Sequence, residues 1–211
     1  AIGIFFGRIA NFLNGELLGR PCSESLWWAV KFPQDIYNWL YYDQSKLSSL
    51  SHLVRLVGVT SEDWKFWTTH LNTDASAVAK VSSTLEQIVT AIQNKNLEVT
   101  NELAPLLVAR HPSQLYEAAL EGLLLFFILF WLWRKPRKPG FIGASFLSLY
   151  ALVRIFGEQF RMPDAHIVQY EFQSWGITRG QLISSAMLIA SMSFWFWCLK
   201  RKAPLISGWG P

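Results

Sequence analysis

Three long apolar runs, at residues 115–133, 140–160 and 181–199, mark the second half of the chain. Each is close to the roughly 20 residues a helix needs to cross a hydrocarbon core, so three transmembrane helices are predicted. Residues 1–7 are apolar as well and lack the basic leader and small-residue cleavage site of a signal peptide. They read as the end of a fourth hydrophobic element in a chain that begins partway through a larger protein. Between Cys22 and Ala109 the pattern changes to mixed polar and amphipathic. Val78, Val81, Leu85, Ile88, Val89 and Ile92 recur at three- and four-residue steps, which predicts an amphipathic helix over residues 77–93. Ser61, followed by Glu62 and Asp63, supplies an N-cap and an acidic first turn for another helix. Residues 103–107 predict a short helix interrupted at Pro105. The expected fold is therefore all-α: a polytopic membrane helical bundle with an outer, periplasmic helical head domain, lacking its amino-terminal spans. Its expected parts are a membrane-helix end with a polar motif (1–20), the head domain (21–110), three spans (111–202) and a loosely ordered tail (203–211).

The basic residues fix an orientation. Arg134-Lys-Pro-Arg-Lys138 joins the first two spans and Lys200-Arg-Lys202 follows the third, so the positive-inside rule places both clusters in the cytoplasm. The head domain and the loop 161–179 then lie on the outer face. Composition agrees with a membrane protein: 51% hydrophobic, 16% charged and eleven Trp in 211 residues, with a mean hydropathy of +0.20. A soluble domain normally carries more charge. The net charge of +4 owes much to the two flanking clusters, so it argues for no nucleic-acid partner. Cys22 and Cys198 fall at opposite faces, which makes a disulfide between them geometrically implausible. No Cys-x-x-Cys, His-Glu-x-x-His, P-loop or dinucleotide fingerprint is present.

Against this apolar background, a few ionisable groups stand out. Arg154 and Glu158 sit one helical turn apart inside the second span, a costly depth for charge. They could form a plain ion pair on one helix face. Gly7-Arg-Ile-Ala-Asn-Phe-Leu-Asn-Gly-Glu-Leu-Leu-Gly-Arg20 gathers polar groups at the end of the first apolar segment. There Arg8 and Asn11 share a helix face, Gly15 permits close approach, and Glu16 and Arg20 could pair. Arg110-His-Pro-Ser-Gln-Leu-Tyr-Glu117 opens the next span, with Pro112 in the first turn and Ser113, Gln114 and Glu117 as capping groups. His111 can move protons near neutral pH. Glu121, one turn deeper than Glu117, should face protein rather than lipid. Arg154 to Asp164 and Gly176-Ile-Thr-Arg-Gly-Gln181 complete four polar groups at one depth. The inferred site is an electropositive, water-accessible pocket for an anionic lipid head group, with arginine forks suited to phosphate oxygens.

These residues resemble one family, the prolipoprotein diacylglyceryl transferases. The 7–20 stretch looks like its signature sequence, and Arg110 to Glu117 with Leu120-Glu-Gly122, Arg154 to Asp164, and Gly176 to Leu182 look like its further motifs in the expected order. The resemblance implies a seven-span bacterial inner-membrane enzyme, facing the periplasm. Such an enzyme moves the diacylglyceryl group of phosphatidylglycerol onto the lipobox cysteine of a prolipoprotein, forming a thioether and releasing glycerol phosphate. It implies no metal or organic cofactor, and phosphatidylglycerol, the prolipoprotein signal peptide and membrane lipids as partners. By similarity Arg8 and Arg154 match the family's essential arginines, with Asn11, Asn14, Glu16, Gly19, His111, Glu158 and Arg161 at other motif positions. Arg8, Arg154, His111 and Glu158 are the expected catalytic residues. Arg8, Asn11, Asn14, Glu16, Arg154 and Arg161 are expected to bind phosphatidylglycerol. Relative to the family, the amino-terminal spans with their His-Gly-Gly motif are absent, and residues 41–107 look like an insertion enlarging the head domain. Two other classes are weighed: a transporter or channel subunit, which would show broken helices or inverted repeats that the sequence lacks, and a noncatalytic membrane assembly factor.

Overall fold

A computed structural model describes residues 1–162 and 177–208. Pro163, Asp164 and Gly176 of the polar motifs, and residues 209–211 of the expected tail, lie outside the described residues. The chain is helical, with isolated β-bridges between elements. In order it forms α1 (Ile2–Asn14), α2 (Asp35–Tyr42), a 3₁₀ stretch (Gln44–Ser51), α3 (Leu53–Leu56), α4 (Ser61–Thr69), α5 (Ala75–Gln93) and α6 (Leu97–Leu103). Then follow α7 (Ser113–Glu117), a π-helical segment (Ala118–Leu124), α8 (Leu125–Trp133), α9 (Phe141–Gly157) and α10 (Arg179–Lys200). They sort into two compact units, one of Ala1–Arg20 with the chain from His111 onward, the other of Pro21–Arg110.

In the first unit α7, the π segment and α8 run on as one helix, Ser113–Trp133, and this helix and α10 are long and apolar enough to cross a membrane. Only 28% and 17% of their most apolar windows are buried. A core helix of a soluble domain would hide that surface, so lipid is the solvent these faces suit. The α9 helix is also apolar but stops at Gly157, three residues before the expected end. Its 17 residues rise about 26 Å at 1.5 Å each. The helix stops because Gln159 and Phe160 turn back on Phe156 and Gly157, which frees Arg161 and Met162 for pairing elsewhere. Small residues let α9 and α10 pack closely: Ser148 Oγ donates to Ser191 Oγ at 3.0 Å, and Trp195 Nε1 to Ser145 Oγ at 3.1 Å. Within residues 203–208 one bridge ties the chain back to this unit. Arg137 and Ile206 exchange backbone hydrogen bonds of 3.1 and 2.8 Å, which fastens this segment to the loop before α9.

The second unit has a core of its own, built from Ile36, Trp39, Leu47, Leu50, Trp64, Val81, Leu85, Ile88 and Leu103 among others. The apolar stripe predicted for residues 77–93 lies on α5, with Val81, Leu85, Ile88 and Val89 buried. Asp74 caps α5 through the Ser76 N–H. The α4 cap is Thr60 rather than Ser61: its Oγ1 accepts from the Asp63 N–H at 3.1 Å, the N3 geometry a cap requires. The helix expected over 103–107 instead runs earlier, as α6, and ends before Pro105, whose ring and missing N–H forbid continuation. Buried Trp64 meets its indole requirement by donating to Leu47 O at 2.8 Å. Arg110 donates to both carboxylate oxygens of Asp35, at 2.9 and 2.8 Å, with both residues buried. Burial pushes the Cys22 thiol up, against the opposing pull of the Arg110 charge, and both cysteines are free.

Candidate active site

The first unit brings the polar motifs together by close backbone contact. Gly122 is where α1 crosses the long helix: a Cβ there would lie 2.5 Å from Phe5 Cβ and 2.8 Å from Phe5 Cα. One turn along from Phe5, Arg8 is thereby held against the two carboxylates next to that crossing. α1 ends at Asn14, and Gly15 takes the left-handed conformation (φ 66°) that closes the helix onto Asn11 and Phe12 carbonyls. Leu17 is also left-handed (φ 53°), a costly conformation for a branched side chain that only surrounding contacts maintain. Those contacts follow at once. Met162 N–H donates to Leu18 O at 2.9 Å, Arg20 N–H to Phe160 O at 2.8 Å, and His111 N–H to Arg20 O at 3.1 Å. The 18–20 segment is thus clasped between the end of α9 and the start of the long helix, with Gly19 against the His111 carbonyl, leaving no room for a side chain.

At the crossing, two arginines share two glutamates. Arg8 Nη1 lies 2.8 Å from Glu117 Oε2, and Arg8 Nη2 lies 3.0 Å from Glu121 Oε2. Arg154 Nη1 lies 3.2 Å from Glu117 Oε1 and 3.4 Å from Glu121 Oε1. Each arginine therefore touches one oxygen of each carboxylate, the two arginines taking different oxygens. Glu158 stands 3.8 Å from Arg154 Nη2 and accepts a hydrogen bond from Thr178 Oγ1 at 3.3 Å. Thr178 is also the α10 N-cap in a complete capping box with Gln181. Gly180 makes room for that carboxylate: a Cβ there would be 2.8 Å from the Glu158 carboxyl carbon. The glutamates are deeper than the arginines, with side chains of Glu117 and Glu121 at 2% and 1% exposure against 13% and 17% for Arg8 and Arg154. The guanidinium groups therefore lie nearer the surface of this unit than the carboxylates.

The structure joins some expected site residues and separates others. Arg8, Arg154 and Glu158 belong to one network. His111 sits in an aromatic setting, its Nδ1 3.2 Å from Tyr116 Oη and its ring edge-on to Phe160. Asn11 and Asn14 lie on the last turns of α1. Glu16 presents its carbonyl to Gln114 Nε2 at 2.5 Å, while its side chain is exposed. The expected Glu16–Arg20 pair does not form, because the helix ends before it and four-residue spacing no longer means one face; Arg20 Nε donates instead to Arg161 O at 3.1 Å. The capping roles expected for Ser113, Gln114 and Glu117 are also replaced. Ser113 Oγ donates to Leu17 O, Gln114 to Glu16 O, and Glu117 binds both arginines, so this turn faces the signature segment. In the ion pairs among the described residues three carboxylates face two guanidinium groups, with the Arg161 charge also acting on Glu117. Glu117 and Glu121, absent from the expected site residues, are its centre. Their signal in the sequence is a pair of acids four residues apart in an apolar helix.

The model of the prolipoprotein diacylglyceryl transferase family matches residues 1–197. The chain belongs to this family. It is 48% identical over 208 residues to a phosphatidylglycerol–prolipoprotein diacylglyceryl transferase of Bdellovibrio bacteriovorus, covering 99% of this chain and 58% of that protein. Transferases of the same name from Rhodospirillum centenum and Bradyrhizobium diazoefficiens are 34% and 32% identical over 203 and 205 residues, covering 95% and 96% of this chain but 46% and 47% of theirs. The chain thus spans about half the length of the curated relatives it matches. Both units lie almost wholly within the family match, so the diacylglyceryl transferase family accounts for the polar unit as well as the apolar helices.

Proposed function

We propose that the protein containing this chain transfers the diacylglyceryl group of phosphatidylglycerol to the lipobox cysteine of bacterial prolipoproteins. The observation that carries this reading is the convergence of Arg8 and Arg154 on one pair of carboxylates, Glu117 and Glu121, in a family whose members bear that activity in their names. The thiol sulfur bonds to the terminal glycerol carbon of the diacylglyceryl group as that carbon's bond to phosphate oxygen breaks. Glycerol phosphate leaves with the electron pair. Charge develops on the departing oxygen, where two preorganised guanidinium groups stabilise it. The thiol must lose its proton before or during attack, because the thiolate is the nucleophile. Glu158, held beside Arg154 and Thr178, or His111 accepts that proton. Asn11, Asn14, Glu16 and Arg161 complete the phosphatidylglycerol site, and Arg161 supplies positive charge that the cluster lacks.

The same reading places the protein in the bacterial inner membrane as a multi-pass enzyme. Its active site faces the periplasm, the Pro21–Arg110 unit forms the outer head, and further amino-terminal spans complete the bundle. The direct test is to mix the full-length protein with phosphatidylglycerol and a lipobox peptide, and to measure glycerol phosphate release and peptide lipidation together. Equal yields of both products are expected. No turnover with either would return a noncatalytic assembly role to first place.

A further inference from the structure

At the end of α9 remote from Arg154, a second polar feature has no part in that chemistry. Gly140 and Arg154 are fourteen residues apart on one helix, about 21 Å at 1.5 Å per residue. There a cavity of about 160 Å³ is lined by Trp133, Arg137, Lys138, Ile142, Gly143 and Ile206, among others. That is room for several waters, and so for a phosphate group. Ile142 and Gly143 stand in the first turn of α9, where helix geometry leaves N–H groups without intrahelical partners and favours an anion.

The charge at this end is uncompensated. Residues 134–138 hold four cations, residues 200–202 three, and neither stretch contains a carboxylate. Among the described residues no ion pair reaches any of the seven. What holds three of them is neutral: Lys138 Nζ donates to Leu199 and Arg201 carbonyls, Arg137 Nε to Leu132 O at 3.2 Å, and Arg201 Nη2 to Pro139 O at 2.6 Å. These bonds fix Arg137, Lys138 and Arg201 in place without neutralising them. The Arg137–Ile206 bridge joins two of the cavity's lining residues from distant parts of the sequence. Topology alone requires basic residues at this boundary, but it requires neither a cavity nor fixed side chains.

We propose that this cavity binds the phosphate of an anionic phospholipid head group, at a site separate from the arginine–glutamate cluster. The apolar Trp133, Ile142 and Ile206 suit the adjoining acyl esters, and Arg137, Lys138 and the α9 amides hold the phosphate. The proposal needs the membrane placement of these helices and does not depend on the transferase reaction.

Native mass spectrometry of the full-length protein in neutral detergent would test it, with short-chain phosphatidic acid, phosphatidylcholine of equal chain length, and inorganic phosphate as probes. The double variant Arg137→Gln, Lys138→Gln should bind phosphatidic acid about tenfold more weakly at one site, with phosphatidylcholine binding unchanged. Lys200→Gln, Lys202→Gln removes the same charge from exposed positions outside the cavity lining and should keep that site. Because Lys138 also ties down two carbonyls, Gly143→Phe serves as an independent probe: a Cβ at Gly143 meets nothing within 4 Å, so the ring adds bulk at a lining position and leaves the tethers intact. It too should lose the lipid while transferase turnover persists. Equal loss in both double variants would show general charge attraction and overturn the proposal. Retention in Gly143→Phe, or inorganic phosphate competing as well as the lipid, would also overturn it.

Discussion

Arg8 and Arg154 differ from ordinary membrane-boundary arginines in having two carboxylates in common. A planar fork can meet a carboxylate and a phosphate at once, whereas an ammonium is a single point charge. Arg8→Lys and Arg154→Lys should therefore each lower turnover by about 10²–10³-fold, the scale of losing one oriented transition-state donor. Membrane insertion should stay normal, and a lipidation assay beside a protease-protection assay checks both. Glu121 has a different role, since it is fully buried and its two oxygens face different arginines. Glu121→Ala should destabilise the protein by about 3 kcal/mol, the low end for a broken buried pair, because Glu117 still faces both cations. A melting curve in detergent would read that loss. The four-residue spacing of Glu117 and Glu121 is plain in the sequence, but a capping role accounts for Glu117 there equally well, and only the Arg8 contact from α1 decides between them.

At the scale of elements, the site depends on how closely helices approach. Gly122 allows α1 to cross the long helix with Phe5 in contact, and that crossing sets the position of Arg8. Gly122→Val should displace α1 and reduce activity at least tenfold, although no reacting group is touched; a smaller change would mean that the crossing is not what positions Arg8. The crossing also coincides with the π-helical segment Ala118–Leu124. Wider turns of this kind gather at functional sites, and apolar periodicity gives no sign of one. The Gly157 end of α9 was similarly hidden, because residues 158–160 are no less compatible with helix than their neighbours. Backbone pairing of Arg20 with Phe160 and of Met162 with Leu18 decides where that helix stops. By contrast, α5 and α10 lie close to their expected limits, since a long apolar stripe in one and a long apolar run in the other allow few alternatives.

For the molecule as a whole, the chain enters and leaves its second unit at adjacent points. Pro21 bridges to Arg110, and Cys22 N–H donates to Ala109 O at 2.9 Å. With its own core and closed ends, this unit meets the physical description of a domain that folds by itself. Residues 21–110 expressed alone should be soluble, helical by circular dichroism and cooperative on heating. A gradual, non-cooperative melt would disprove that independence. The sequence by itself determined the helical class, the apolar helices, the change to a polar segment and the family, and it singled out the arginines proposed for the site. Each follows from composition, periodicity or a contiguous motif, and all of these are local along the chain. Only the tertiary structure decided that Arg8 and Arg154 meet over Glu117 and Glu121, that Glu16 and Arg20 do not pair, and that residues 203–208 fold back. Those outcomes depend on which helices approach at a glycine and which backbone groups remain to be satisfied, and neither is written in the spacing of residues.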